Sequence, residues 1–134
     1  MTILVVDDDP MLLALLRDFL RQYGHDVETA TDGAEALRQM AACRPHLVIS
    51  DIEMPGMNGL ALLKAILVRY PWIPVLMMTG GDPGLLSIAN RNGAFACLLK
   101  PFKLSTLLAY VACITSKKDA HRAQAGFPGR KWMQ

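Results

Sequence analysis

Residues 47–60 read LVISDIEMPGMNGL and join a mainly apolar segment to an acidic residue and a loop. The run 47–50 has the composition of a strand buried on both faces, which is typical of parallel sheets. Asp51 follows this strand directly, and residues 52–59, with one proline and two glycines, predict a loop. An apolar pattern with helical spacing begins at once over residues 60–70. The stretch therefore predicts a strand, a loop and a helix in the order of a parallel βα unit.

The same alternation extends in both directions along the chain. Strands are predicted at residues 2–6, 26–30, 47–50, 75–78 and 95–99. Helices are predicted at residues 10–23, 34–43, 60–70, 85–92 and 104–115. Five strands that alternate with five helices predict an α/β domain with a doubly wound parallel sheet, covered by helices on both faces in three layers.

Length and composition favour a single folded domain followed by a tail. The chain has 134 residues, of which 52% are hydrophobic and 19% are charged. Residues 1–116 carry nine basic and eleven acidic residues and are predicted to form the domain. Residues 117–134 carry five basic residues and one acidic residue and are predicted to form a flexible basic tail. The domain lacks a basic surface, so we expect it to make no direct contact with nucleic acid.

The sequence has no pattern of export or of membrane insertion. It starts MTILVVDDD, without a basic segment before the apolar run, and no apolar run approaches about 18 residues. The cysteines Cys43, Cys97 and Cys113 are widely spaced, which favours buried thiols in a reducing compartment over a disulfide framework. We therefore expect a cytoplasmic protein that does not associate with membranes.

Polar side chains follow four of the five predicted strands. Asp7 and Asp8 follow the first strand, Asp51 the third, Thr79 the fourth and Lys100 the fifth. These groups are expected to converge, because the carboxyl ends of parallel strands meet at the edge of the sheet where ligands bind. Clustered carboxylates repel one another unless a cation joins them, and oxygen ligands suit Mg²⁺. With a hydroxyl and an ammonium group nearby, the set predicts phosphoryl transfer onto Asp51.

Four stretches of the sequence resemble the receiver domain of bacterial two-component response regulators: LVVDDDP at 4–10, SDIEMPGMNGL at 50–60, MTGG at 78–81 and LLKPF at 98–102. The resemblance covers residues 2–115 and implies a flavodoxin-like fold with a five-stranded sheet in the order 2-1-3-4-5. It implies a signalling phosphoacceptor rather than an enzyme, whose own activities are self-phosphorylation and autodephosphorylation. The implied donor is a histidine kinase or a histidine phosphotransfer protein.

The resemblance also implies roles for individual residues at the strand ends. Asp51 is the implied phosphoacceptor. A Mg²⁺ or Mn²⁺ ion is implied to bind Asp7, Asp8, Asp51 and the backbone carbonyl of Glu53.

The remaining implied residues belong to the switch of such a domain. Thr79 is the implied switch hydroxyl, Lys100 is the implied cation beside the phosphoryl oxygens, and its bond to Pro101 is implied to be cis. The sequence departs from the family at Cys97, where many receivers carry an aromatic residue three positions before the lysine. The departure leaves the aromatic-coupled part of the switch without its residue, whereas phosphorylation itself should be unaffected.

The output of such a domain is expected at a surface formed by the fourth helix, the fifth strand and the fifth helix. The fifth predicted helix contains no charged residue, and its outer side is predicted to show Tyr110, Cys113 and Ile114. Cys97 lies on the neighbouring strand and completes this candidate output surface. The surface could contact a downstream protein, an output domain that this chain lacks, or a second copy of the chain in a homodimer.

Several other interpretations stay open at this point. The chain is a stand-alone receiver or one truncated from a longer DNA-binding or enzymatic response regulator. An aspartyl-nucleophile phosphohydrolase of the haloacid dehalogenase kind would need a second aspartate two residues after Asp51, where this chain has Glu53. A flavodoxin-like nucleotide binder would need a phosphate loop after the first strand, where residues 7–9 are three aspartates. A docking module without phosphorylation would not need the full set of strand-end residues.

Overall fold

The structure is a computed structural model that describes residues 1–123, with side chains described through residue 116. Its strands are β1 (Thr2–Val6), β2 (Asp26–Ala30), β3 (Leu47–Asp51), β4 (Val75–Thr79) and β5 (Ala96–Leu99). In this part of the chain they form one sheet in the order β2-β1-β3-β4-β5, and all neighbouring strands are parallel. The strand that carries Asp51 is therefore the central strand, as the predicted fold class requires.

Five helices connect and follow these strands within the described residues. They are α1 (Pro10–Gln22), α2 (Gly33–Ala42), α3 (Gly59–Arg69), α4 (Gly84–Arg91) and α5 (Leu104–Ala123). Each bound of the first four lies within one residue of the prediction. None of the described helices is long and apolar enough to cross a lipid bilayer.

Two apolar clusters lie on opposite faces of the sheet. One joins the strands to α2, α3 and α4 through Leu4, Val6, Val48, Met77, Ala36, Met40, Leu62, Leu63, Ile66 and Ala89. The other joins them to α1 and α5 through Ile3, Val5, Ile49, Leu76, Met78, Leu13, Leu16, Leu20, Leu107, Val111 and Ile114. Successive strand residues alternate between the clusters, because side chains alternate between the faces of a sheet. The sheet is thus the middle of three layers.

Strand register brings three strand ends together at one edge of the sheet. Val6 of β1 lies opposite Ser50 of β3. The residues that follow them, Asp7 and Asp51, are therefore neighbours at the end of the sheet. Thr79 ends the next strand, β4, on the other side of β3.

The last helix is longer than the sequence pattern predicts. α5 continues to Ala123, whereas its apolar pattern ends near residue 115. Residues 117–123, which the pattern assigns to the tail, are helical because they contain lysine, arginine and alanine and neither glycine nor proline. Residues 124–134 lie outside the described residues, so the flexible tail and the domain boundary at residue 116 stay predictions.

The cysteines are less buried than the sequence predicts. Cys97 is half-buried, but Cys43 and Cys113 are exposed. Cys43 lies at the carboxyl end of α2, beyond its apolar face. Cys113 lies two residues after the buried Val111, about 200° around the helix, so it faces solvent. The expectation of buried thiols is therefore wrong for both, whereas the exposure of Cys113 agrees with its predicted place on the outer side of α5.

Candidate functional site

Two buried carboxylates form the centre of the site at the carboxyl ends of β1 and β3. Asp7 is 1% exposed and Asp51 is 5% exposed, whereas the neighbouring Asp8 is exposed. One carboxylate oxygen from each of the three lies within 4.8 Å of the others. The fold thus brings together three acidic side chains that the sequence places after two separate strands.

Asp9, the third aspartate of this segment, has a structural role. Its carboxylate accepts hydrogen bonds from the backbone N–H groups of Met11 and Leu12, at 3.0 and 3.4 Å, and so caps α1. Its own backbone N–H donates to Oδ1 of Asp7 at 2.9 Å. The turn that starts α1 therefore also orients the Asp7 carboxylate.

Lys100 follows β5 and reaches both buried carboxylates. Its Nζ lies 2.8 Å from Oδ2 of Asp7 and 3.5 Å from Oδ1 of Asp51. Its backbone N–H donates to the carbonyl of Thr79 at 2.7 Å, which fixes this part of the chain against the end of β4. The peptide bond between Lys100 and Pro101 is cis. One ammonium group thus bridges two carboxylates that would otherwise repel each other.

The charges at the site do not balance. Burial and the neighbouring Asp7 raise the pKa of Asp51, although Lys100 and the backbone N–H of Glu53 act in the opposite direction. Burial lowers the pKa of Lys100, but its hydrogen bonds and charge interactions with both aspartates outweigh this effect and leave the pKa raised. Lys100 is therefore charged at neutral pH, and one positive group faces three carboxylates.

These carboxylates fit a divalent cation that prefers oxygen ligands. Mg²⁺ binds through one or two carboxylates and keeps several water molecules. Asp7 and Asp51 offer buried oxygen atoms, and Asp8 lies on the side of the cluster that is open to solvent. A ligand role for the backbone carbonyl of Glu53 stays a prediction.

Thr79 is fully buried at the end of β4, and its hydroxyl contacts Glu53. The hydroxyl donates to Oε1 of Glu53 at 2.7 Å and accepts a hydrogen bond from the backbone N–H of Gly81 at 3.1 Å. The sequence predicts a role only for the backbone carbonyl of Glu53, and this contact of its side chain was not predicted. One signal was available: Glu53 lies two residues after Asp51 and Gly81 two residues after Thr79, at the ends of neighbouring strands.

The candidate output surface is only partly as predicted. Cys97 is half-buried, burial raises the pKa of its thiol, and its Sγ lies 3.5 Å from the carbonyl oxygen of Leu86 on α4. Cys113 is exposed, while Tyr110 is half-buried with its ring 6.3 Å from that of Phe95.

Ile114 does not belong to this surface. It is 3% exposed and packs against the sheet together with Leu107 and Val111. These positions are spaced by four and three residues, which places them on one face of α5. The predicted place of Ile114 on the outer side of the helix is therefore wrong.

The comparisons with known proteins agree with this geometry. The family model described as the response regulator receiver domain matches residues 3–112. The chain is 43% identical over 108 residues to the DNA-binding transcriptional regulator NtrC of Escherichia coli strain K12, across 80% of this chain and 23% of that protein. It is 45% identical over 112 residues to the response regulator protein FleR of Pseudomonas aeruginosa, across 82% and 24%. The chain therefore spans about a quarter of the length of these relatives.

Solved structures show the same arrangement of strands and helices. A response regulator receiver domain protein from Clostridium thermocellum superposes with a TM-score of 0.83 at 30% identity, over 89% of this chain and 97% of that one. The family match covers most of the folded residues, and the strand order is the one that the resemblance implies. The chain belongs to the family of response regulator receiver domains of two-component systems.

Proposed function

We propose that Asp51 is the phosphoacceptor of this receiver domain and takes its phosphoryl group from a histidine kinase or a histidine phosphotransfer protein. The observation that carries the proposal is the position of Asp51 at the end of the central strand, buried, with Nζ of Lys100 only 3.5 Å from its Oδ1. A carboxylate held beside a fixed ammonium group is equipped to attack phosphorus and to balance the charge that it receives.

The proposed step exchanges one bond for another at phosphorus. An oxygen of Asp51 attacks the phosphorus of a phosphohistidine and forms an O–P bond. The N–P bond breaks, and the imidazole nitrogen leaves with the electron pair. The product is an acyl phosphate on Asp51, and attack by water on the same phosphorus would return the free carboxylate and inorganic phosphate. Lys100, which follows β5 and whose Nζ lies 3.5 Å from Oδ1 of Asp51, would bind a phosphoryl oxygen during the transfer.

The acidic cluster would hold a Mg²⁺ or Mn²⁺ ion through Asp7, Asp8 and Asp51, with the backbone carbonyl of Glu53 as a further ligand. When bound, the cation would offset the negative charge of the carboxylates and the phosphoryl oxygens. Without it, Lys100 is the cation beside both buried carboxylates.

The phosphorylated state would be read at the surface formed by α4, β5 and α5. The acyl phosphate would carry about two negative charges next to Thr79 and Lys100, where the free carboxylate of Asp51 carries one. If the Thr79 hydroxyl binds the phosphoryl group, the loop between β4 and α4 must move with it. The contact between Cys97 and the carbonyl of Leu86 couples β5 to α4 and gives that movement a route to Cys97, and Tyr110 and Cys113 of α5 would complete the surface.

The partner of this surface is proposed to be an output domain in a longer chain. The observation in favour is the length of the relatives, of which this chain spans about a quarter. A separate downstream protein and a second copy of this chain remain the alternative occupants. In each case the domain itself would transmit a signal and would not convert a substrate.

The proposal is tested by measuring the intact mass after incubation with Mg²⁺ and acetyl phosphate. We expect a gain of about 80 Da in the unmodified sequence and in Asp18→Asn, and no gain in Asp51→Asn. Asp18 is a matched control because its side chain is exposed on α1, at 65%. Chelation of the divalent cation should abolish the gain.

Two results would contradict the proposal. A gain of the same size in Asp51→Asn would place the acceptor at another residue. The absence of any gain, both with acetyl phosphate and with a phosphohistidine protein as donor, would reject phosphoacceptor function for this chain.

A further inference from the structure

We propose that Glu53 is a positioning residue that holds the Thr79 hydroxyl away from the phosphoacceptor until a phosphoryl group displaces it. The inference rests on the proposed function and adds a residue that sets how readily Thr79 turns toward Asp51. The contact that carries it is the hydrogen bond from the hydroxyl of Thr79 to Oε1 of Glu53, at 2.7 Å.

The chemistry of the hydroxyl makes this contact exclusive. A threonine hydroxyl has one proton to donate, and here a carboxylate oxygen accepts it. The same proton cannot be donated to a phosphoryl oxygen on Asp51 at the same time. Hydrogen bonds to an ionised acceptor are stronger than those between neutral groups, so the phosphoryl group must compete with a strong partner.

Glu53 also lies close to both Asp51 and Thr79. Its backbone N–H lowers the pKa of Asp51, against the larger effect of burial, while its side chain accepts a hydrogen bond from the hydroxyl of Thr79. Asp51 and Thr79 end two neighbouring strands, β3 and β4, and Glu53 bridges the gap between them. Among the described residues, no basic side chain forms an ion pair with the Glu53 carboxylate. The carboxylate instead accepts a hydrogen bond from the Thr79 hydroxyl.

The glycine at position 81 leaves room for the Glu53 carboxylate beside the Thr79 hydroxyl. A Cβ added to Gly81 would collide with both carboxylate oxygens of Glu53. The backbone N–H of Gly81 donates to the Thr79 hydroxyl at 3.1 Å, which fixes its lone pair and directs its proton toward Glu53. The glycine and the glutamate thus act together on one hydroxyl.

The test compares the affinity for a phosphoryl analogue among variants of this arrangement. The probe is beryllofluoride, formed from beryllium chloride and excess sodium fluoride with Mg²⁺, and its apparent dissociation constant is measured by calorimetry. We expect Glu53→Ala to bind about tenfold more tightly, because the hydroxyl no longer has to leave a carboxylate. Glu53→Gln keeps an acceptor oxygen without the charge and should show a smaller gain of about threefold.

Combining Glu53→Ala with substitutions of Thr79 distinguishes two causes of tighter binding, which are release of the hydroxyl and loss of a repelling charge. If Glu53 acts through the hydroxyl, Glu53→Ala should have no effect in a Thr79→Ala background and should regain its effect in Thr79→Ser. If the carboxylate merely repels an anion, the gain would persist in Thr79→Ala, and the proposal would be rejected.

Gly81→Ala provides an independent variant that changes neither side chain. It should displace the Glu53 carboxylate and tighten binding in the same direction as Glu53→Ala. Unchanged affinity in both variants, with unaltered unfolding midpoints, would overturn the inference while the proposed function stands. No binding by the unmodified protein, together with no gain in mass from any phosphodonor, would overturn both.

Discussion

Gly59 and Gly81 border the same site, but a Cβ at each would meet different neighbours. At Gly59 it would overlap the backbone of Asp51 and Ile52. At Gly81 its nearest neighbours would be the carboxylate atoms of Glu53, the far end of a flexible side chain. The two glycines therefore mark one part of the site whose backbone is fixed and another part whose contacts can be exchanged.

We call these parts the acceptor half, which comprises Asp7, Asp51 and Lys100, and the hydroxyl half, which comprises Thr79 and Glu53. In the acceptor half, both carboxylates are buried and Lys100 is half-buried, and the groups are held by strand ends, ion pairs and the close approach of α3 to β3. The hydroxyl half depends on two hydrogen bonds of the Thr79 hydroxyl, one donated to the exposed Glu53 and one accepted from the backbone N–H of Gly81. In the proposed function, phosphoryl transfer needs a fixed geometry and switching needs an exchangeable one, so the difference between the halves matches these two proposed tasks.

The largest effect is expected from Gly59→Ala, because the new Cβ would press on backbone that cannot yield. We expect its free energy of unfolding in urea to fall by about 3 kcal/mol. Gly80→Ala is the matched control, since its Cβ would lie 3.6 Å from Cβ of Lys100, an ordinary contact, and should change the value by less than about 0.5 kcal/mol. Equal losses in the two variants would show that the acceptor half is no more rigid than the loop.

The next effect is stabilisation by Mg²⁺ through the acceptor half. At a concentration about 100 times its dissociation constant, Mg²⁺ should add about 2.7 kcal/mol to the free energy of unfolding. Asp8→Asn should remove most of this gain without altering the metal-free protein, because Asp8 is exposed. Asp26→Asn, at the opposite edge of the sheet, should retain the full gain. A gain that survives in Asp8→Asn would remove this residue from the metal site.

A smaller stabilising effect is expected from Asp51→Asn in metal-free solution. Burial and Asp7 raise the pKa of Asp51 above its ordinary value of 3.8, so the ionised form is disfavoured in the folded state. The associated stability is present below that value and is lost as the pH rises through the folded-state pKa. At pH 7 the neutral variant should therefore be more stable by about 1 kcal/mol, as judged by thermal unfolding.

The pH dependence of the same variant provides its control. The difference should vanish in acid, where Asp51 is protonated in both states, and it should be absent at neutral pH for Asp18→Asn. A variant that is destabilised at pH 7 would mean that Lys100 stabilises the carboxylate more than burial and Asp7 oppose it.

The smallest effect on stability is expected in the hydroxyl half. Glu53→Gln should change the free energy of unfolding by less than about 0.5 kcal/mol, because an acceptor oxygen remains and the side chain is exposed. Its affinity for beryllofluoride should nevertheless rise. A large loss of stability of Glu53→Gln in denaturant unfolding would show that Glu53 is a structural residue. The two halves would then not differ in how firmly their contacts are held.

Much of the fold was predictable because strands and helices have distinct apolar periods. The segments around β3 and β4 are almost wholly apolar, and both strands are fully buried at the centre of the sheet. The misplaced features have physical causes as well. Ile114 was predicted on the outer side of α5 because the orientation of that helix was predicted wrongly. The end of α5 was missed because it lies in polar residues, which have no apolar pattern to mark it.

By itself, the sequence determined which charged side chains lie at the edge of the sheet where the strands end. Strand ends of a parallel sheet meet, so Asp7, Asp51 and Lys100 had to converge once the strands were recognised. The contact between Glu53 and Thr79 was decided only by the tertiary structure. These residues are 26 positions apart, and their meeting depends on the paths of two loops, which no periodicity encodes. Apolar patterns report which face is buried, whereas a hydrogen bond between loop side chains depends on positions that only the folded chain defines.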